Sequence, residues 1–159
     1  MIWVMNSEFK RIVDNLPGLL EQLSNKPLLP WANLTDVPVK GIYVFYEKDS
    51  PIYVGRSGKQ PMKTRIKQHA NPWSNSNTAP FAFNIAKKNA ERKGIDLNRT
   101  RAELEKDVEF KNLFAQAKER VRRMSVRVIE VDDDLVQTIF EVYAAMSLGT
   151  MEYNKFSTH

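Results

Sequence analysis

Apolar residues recur every three or four positions through the first part of the chain, at Phe9, Ile12, Val13, Leu16, Leu19, Leu20 and Leu23. That spacing puts them on one face of a helix. Pro17 lies inside the stretch and should divide it into two short helices, because it has no N–H to donate and its ring crowds the carbonyl one turn back. Residues 26–39 carry prolines at 27, 30 and 38, which deny the segment a regular ladder, so it reads as an ordered arm pinned by Trp31 and Leu34. The period then changes. Gly41-Ile-Tyr-Val-Phe-Tyr46 is an unbroken β-branched and aromatic run, Glu47-Lys-Asp-Ser50 is turn chemistry, and Pro51-Ile-Tyr-Val-Gly55 is a second short run; together they predict a β-hairpin. Pro61 suits the first turn of a helix reaching about Ala70, and residues 71–80 read as loop.

Helices are expected over 83–94 and about 100–123, the second with Leu104, Val108, Leu113, Ala117, Val121 and Met124 along one side. Val126, Val128, Ile129 and Val131 mark a third strand. Asp132, Asp133 and Asp134 tempt a metal reading, but successive residues point in different directions, and capping of a last helix from Leu135 to about Leu148 is the better one. Gly149 should end that helix.

The chain has 159 residues, 42% hydrophobic and 27% charged, the profile of one ordinary globular domain. It contains no cysteine, which removes disulfides and cysteine-bearing zinc fingers and favours a cytoplasmic protein. No apolar run is long enough for a membrane span, and the N-terminus has no signal-peptide pattern. The net charge of +5 is modest, but it is unevenly spread. Residues 84–127 carry 13 basic and seven acidic groups, whereas residues 128–159 carry one and six.

The chemistry-bearing residues form an ordered set. Gly41-Ile42-Tyr43 is followed after nine residues by Tyr53-Val54-Gly55, then by Arg56, by Arg65 and His69, and later by Glu141 and Asn154. This order resembles the signature of the GIY-YIG nuclease superfamily, in which two such triplets precede a basic residue, a helix with an arginine and a histidine or tyrosine four later, a helix-borne glutamate and an asparagine. The resemblance covers residues 41–70 and 126–159. It implies an α+β fold with a small antiparallel sheet of about three strands flanked by helices, with residues 71–125 as a helical insertion. It further implies a magnesium-dependent DNA endonuclease, with manganese as a substitute ion and Glu141 as the metal ligand. Stand-alone members of this size look restriction-type.

Elementary chemistry supports the same assignments. Arg65 and His69 are i and i+4 on the expected helix, so they share a face, and a guanidinium suits phosphate oxygens. A tyrosine serves as base only if its pKa falls, and nearby cations favour the phenolate. Tyr43, beside Arg56 and Lys48, is the candidate base, with Tyr53 orienting water or phosphate and His69 relaying a proton; which tyrosine does which stays open. Glu141 lies in the apolar stretch Ile139-Phe-Glu-Val-Tyr143, where an unpaired carboxylate is costly, yet a single glutamate suffices for magnesium if waters and phosphate complete its shell. Lys48, Lys63, Lys67, Lys118, Arg120, Arg122 and Arg123 are candidate DNA contacts.

The hairpin offers a geometric test, since residues paired across strands point to the same face. If Tyr43 and Tyr53 share a site, paired residue numbers must have an even sum, which predicts a connection of three or five residues. Pairing of 46 with 51 around a four-residue loop would separate the tyrosines. One active site cuts one strand, so a double-strand break needs two sequential events or, as we expect, a homodimer or higher oligomer on DNA. Two other classes fit the same sequence: a catalytically silent nucleic-acid-binding module, and a structural protein kept soluble by its basic helices.

Overall fold

The computed structural model describes residues 1–156; the last three residues of the tail, His159 included, lie outside the described residues. Ten elements follow in order: α1 (Ser7–Ser24), β1 (Leu29–Pro30), β2 (Gly41–Glu47), β3 (Ser50–Ser57), α2 (Met62–Gln68), α3 (Pro80–Arg92), α4 (Arg101–Lys106), α5 (Val108–Arg122), β4 (Ser125–Glu130) and α6 (Asp134–Leu148). The strands form one antiparallel sheet in the order β1-β4-β2-β3. The fold is α+β, as expected, with one strand more than the three foreseen.

That extra strand lies in the proline-rich arm. Leu29 and Pro30 pair with Val126 and Ser125 at the sheet edge, where a missing N–H is tolerated. The arm is pinned as its aromatic residue suggested: the Trp31 indole donates to the Ile66 carbonyl at 3.1 Å, and Leu34 is buried.

Strand β2 is central, and six of its seven residues are buried, because helices cover both faces of the sheet. On one face Tyr43 and Phe45 join Met62, Ile66, Phe81, Phe110 and Val126; on the other, Ile42, Val44 and Tyr46 join Ile12, Leu16, Phe140 and Ala144. The alternation along β2 therefore serves two cores.

Three helices differ from the sequence reading, α3 by running from Pro80 to Arg92 rather than over 83–94. Helix α1 is continuous with Pro17 inside it; burial of Ile12, Leu16 and Leu23 along one stripe outweighs a proline penalty of about 3 kcal/mol. The long helix expected over 100–123 is instead two, because Asp107 adopts extended backbone and its carboxylate accepts from the Phe110 N–H at 3.0 Å, capping α5. The break leaves Val108 exposed rather than on the apolar side. Helix α6 behaves as expected at both ends: Asp133 caps the amides of Leu135 and Val136, and Gly149 takes the left-handed conformation (φ 72°) that ends it.

The two tyrosines share a face as the parity test requires, but the connection is not of the expected three or five residues. Lys48 and Asp49 form a two-residue turn that pairs Glu47 with Ser50 and Tyr46 with Pro51, the odd-sum register. A β-bulge then shifts the register, and from Phe45↔Tyr53 through Tyr43↔Gly55 to Gly41↔Ser57 every sum is even. One extra residue on the bulged strand, Ile52, returns both tyrosines to one face.

Candidate active site

Both glycines of the paired triplets are explained by close approach. A Cβ on Gly41 would stand 1.9 Å from the Ile129 carbonyl oxygen, a backbone atom of the neighbouring strand. A Cβ on Gly55 would stand 2.3 Å from Tyr43 Cζ and 2.4 Å from its hydroxyl oxygen. The Tyr43 ring thus lies against bare backbone of β3, and only glycine leaves it room.

Held there, Tyr43 Oη lies 2.6 Å from Nε2 of His69, the residue that closes α2. Both are buried, and His69 Nδ1 has no hydrogen-bond partner among the described residues. Burial first, and the Arg65 guanidinium second, push the His69 pKa well below its usual value, so the imidazole is neutral and one of its nitrogens accepts. Tyr53 completes an aromatic cluster, edge-on to His69 at 5.3 Å and stacked on Phe81 from α3 at 4.6 Å.

Arg65 is aimed by the loop after α2: its guanidinium donates to the Thr78 carbonyl at 2.6 Å and to Gln68 at 3.3 Å. Arg56 donates to Gln137 Oε1 at 3.4 Å, while the Gln137 amide is itself fixed on the Val131 carbonyl at 2.6 Å. Glu141 comes from the opposite side on α6. It is half-buried and has no hydrogen bond or ion pair within the described residues. Desolvation pushes its pKa up to about 7 against the opposing pull of Arg56 and Arg65.

Tyr43, Tyr53, Arg56, Arg65, His69 and Glu141 therefore converge from β2, β3, α2 and α6. The electrostatics of Tyr43 correct one expectation. Lys48 sits on the exposed turn, and the cation that acts on Tyr43 is Arg65 rather than Arg56 or Lys48. Burial outweighs Arg65 and raises the Tyr43 pKa, and Tyr53 is raised in the same way, by burial and then by Glu141. Tyr43 in this state is a neutral phenol, not a phenolate.

Asn154, the last member of the ordered set, is bonded to the backbone of β3 and to Thr150. Its Oδ1 accepts from the Val54 N–H at 2.9 Å and the Thr150 hydroxyl at 2.8 Å, while its Nδ2 donates to the Val54 carbonyl at 2.8 Å. The amide thus acts as one rung of an extra strand on the open edge of β3, next to Tyr53. It is a positioning residue.

The basic residues proposed for DNA are mostly committed elsewhere. Lys118 is buried, bonding the Pro72 carbonyl at 3.1 Å and the Ser74 carbonyl, 4.2 Å over the Phe114 ring. Arg120 makes a two-pronged ion pair with Glu47 at 2.7 and 2.8 Å, Arg122 donates to the Ala70 carbonyl at 2.6 Å, and Lys67 bonds the Trp31 carbonyl over its ring. These cations hold the 71–79 loop, the hairpin and the arm in place. Lys48, Lys63 and Arg123 remain exposed. Sequence reasoning saw a basic stripe, but not that carbonyls and a glutamate would face it.

It also missed a cavity of about 470 Å³ with Tyr53 and Glu141 in its wall, whose other lining includes Phe83, Asn84, Lys87 and Lys88 of α3, Arg101 of α4, and Tyr153 and Lys155 after α6. The excess of basic residues over 84–127 was the available signal; α3, α4 and the tail are brought together only by folding. Among the described residues no group of three or more His, Cys, Asp or Glu is arranged to hold a metal, and no helix is long and apolar enough to cross a membrane. Compared with protein-family models, curated proteins and solved structures, the chain matches none of them.

Proposed function

We propose that this chain is a divalent-metal-dependent DNA endonuclease of the GIY-YIG type that hydrolyses a phosphodiester bond, in a restriction or DNA-processing role. The observation that carries the reading is the convergence of two tyrosines, two arginines and a neutral histidine on a half-buried glutamate without a partner among the described residues. A structural carboxylate in such surroundings is normally paired; here two guanidiniums lie near enough to act on it electrostatically, yet neither bonds it.

Glu141 fits a magnesium or manganese ion for that reason, since one carboxylate with waters and a substrate phosphate makes a sufficient shell, and the ion would supply charge neutralisation at phosphorus. The protein groups supply the rest. Arg65, aimed by Thr78, and Arg56, aimed by Gln137, stabilise negative charge on the phosphoryl oxygens. Tyr43 is activated through His69 rather than by ionising alone: as its hydroxyl takes a proton from water, it passes its own proton along the 2.6 Å hydrogen bond to Nε2. The neutral imidazole has a lone pair to receive it; burial and Arg65 make the imidazolium costly, so the proton rests there only while negative charge develops beside it. Tyr53, on the cavity wall, orients the attacked group.

The burial of Tyr43 also favours a second reading. A nucleic-acid-binding module without catalysis would keep a Tyr–His pair as core. Incubation with supercoiled plasmid separates the two: magnesium-dependent nicking or linearisation, lost in EDTA and in Glu141→Ala and Tyr43→Phe, supports the nuclease. Salt-sensitive binding without cutting of plasmid, branched or single-stranded DNA supports the module.

A further inference from the structure

The cavity that shares Tyr53 and Glu141 with the site is too large to be a packing defect and too small for paired DNA. Its volume of about 470 Å³ lies in the ~300–1,000 Å³ range of recesses that enclose one small molecule. A base inside a duplex reaches such a recess only by leaving the stack.

Its lining is matched to a nucleotide rather than to an apolar ligand. Lys87 and Arg101 each lie 5.9 Å from the Phe83 ring, so one aromatic residue gathers two cations on one wall. Lys87 is exposed and makes no ion pair among the described residues. Arg101 donates to the neutral Asn77 side chain at 3.1 Å and keeps its charge available. Lys155 adds a third exposed cation, whereas Lys88 is neutralised by Glu152. Apart from Glu141, Glu91 is the one further carboxylate on the lining without an ion pair among the described residues. Basic groups beside aromatic rings are the combination that holds unpaired strands, the cations taking phosphate and a ring taking the base; Phe83 and Tyr153 are buried, and Tyr53 supplies a partly exposed ring on the same lining.

We propose that this cavity receives one unpaired nucleotide of the DNA strand being cut, next to the scissile phosphodiester, with Lys87, Arg101 and Lys155 on its phosphates. The inference rests on the nuclease reading of the adjoining site. A strand is favoured over a free nucleotide because Tyr53 and Glu141 form part of the same wall, which makes the recess continuous with the bond to be broken.

The test is a binding measurement on the full chain in EDTA, by fluorescence anisotropy, with three labelled DNAs: a single strand, a fully paired duplex, and that duplex with one unpaired nucleotide. The single strand and the interrupted duplex should bind about tenfold or more tightly than paired DNA. The exposed pair Lys87→Glu with Lys155→Glu should remove that preference at unchanged melting temperature. Equal affinity for paired and unpaired DNA, a preference that survives the double substitution, or displacement of the strand by an equal concentration of deoxynucleoside monophosphate would each overturn the inference. The two readings fail separately. If unpaired DNA is preferred but no DNA is cut with magnesium, the nuclease reading falls. If paired DNA is bound and cut as readily as unpaired, this one does.

Discussion

Tyr43 rests on Gly55 across the β2–β3 ladder so closely that a Cβ at position 55 would stand 2.3 Å from its ring. The partner is backbone on one side and a buried ring on the other, so neither yields cheaply. We expect Gly55→Ala to displace Tyr43 from His69, to cost about 1–3 kcal/mol of stability, and to abolish cutting. Thermal unfolding and a plasmid assay on the variant check both. A protein that melts and cuts like the parent would show that the ring can move freely.

The Tyr43 hydroxyl and His69 Nε2, 2.6 Å apart, make a prediction that separates chemistry from binding. Tyr43→Phe should slow cutting by roughly 10²–10⁴-fold and leave DNA affinity in EDTA unchanged. A parallel loss of affinity would mean that Tyr43 holds the substrate rather than moving a proton.

Glu141 should make the folded protein less stable as pH rises. Its folded pKa is raised from 4.5 to about 7, so the unfolded chain gives up the proton more readily. The penalty is absent below about 4.5, grows between the two values and is full above about 7. Glu141→Gln should therefore raise stability by about 1–3 kcal/mol in mildly alkaline buffer, have little effect in acid, and abolish cutting. Magnesium should raise the melting temperature of the parent on DNA but not that of the variant. A variant destabilised at alkaline pH would show the carboxylate to be structurally paired.

Arg120 and Glu47 should matter for stability and not for DNA. The Arg120 guanidinium bonds the Glu47 carboxylate and holds its pKa below 4.5. With a depressed folded value, the pair contributes fully above about 4.5 and loses its contribution as pH falls through the folded value. The pair is more than a third exposed, so solvent screening keeps its contribution within about 1 kcal/mol. Arg120→Ala should lower the denaturation midpoint at neutral pH, flatten the acid limb, and leave the salt dependence of DNA binding unchanged. A shallower salt slope would return Arg120 to the DNA interface.

Much of this was legible from the sequence because it is local. Apolar runs and capping signals gave β2, β3 and β4, a cap among Asp132, Asp133 and Asp134, and the Gly149 stop. The spacing of Arg65 and His69 on one short helix brought them close together, and the ordered set around them named residues that fold into one cluster. Other features depend on contacts distant in sequence. Whether Pro17 breaks α1 depends on the packing of a stripe against other elements, and whether Leu29 and Pro30 form a strand depends on β4. The extra residue Ile52 decides which face Tyr53 takes, and nothing in its identity announces a bulge. Charge is the clearest case. Lys118, Arg120 and Arg122 read as one basic stripe along the chain, but folding supplies Pro72, Ser74, Glu47 and Ala70 as their partners and leaves Lys87 and Lys155 at the cavity instead. Side-chain type and spacing thus determined which chemistry was available and where along the chain it lay. Only the tertiary structure decided which groups were free to use it, because desolvation and long-range hydrogen bonds depend on what folds against each residue.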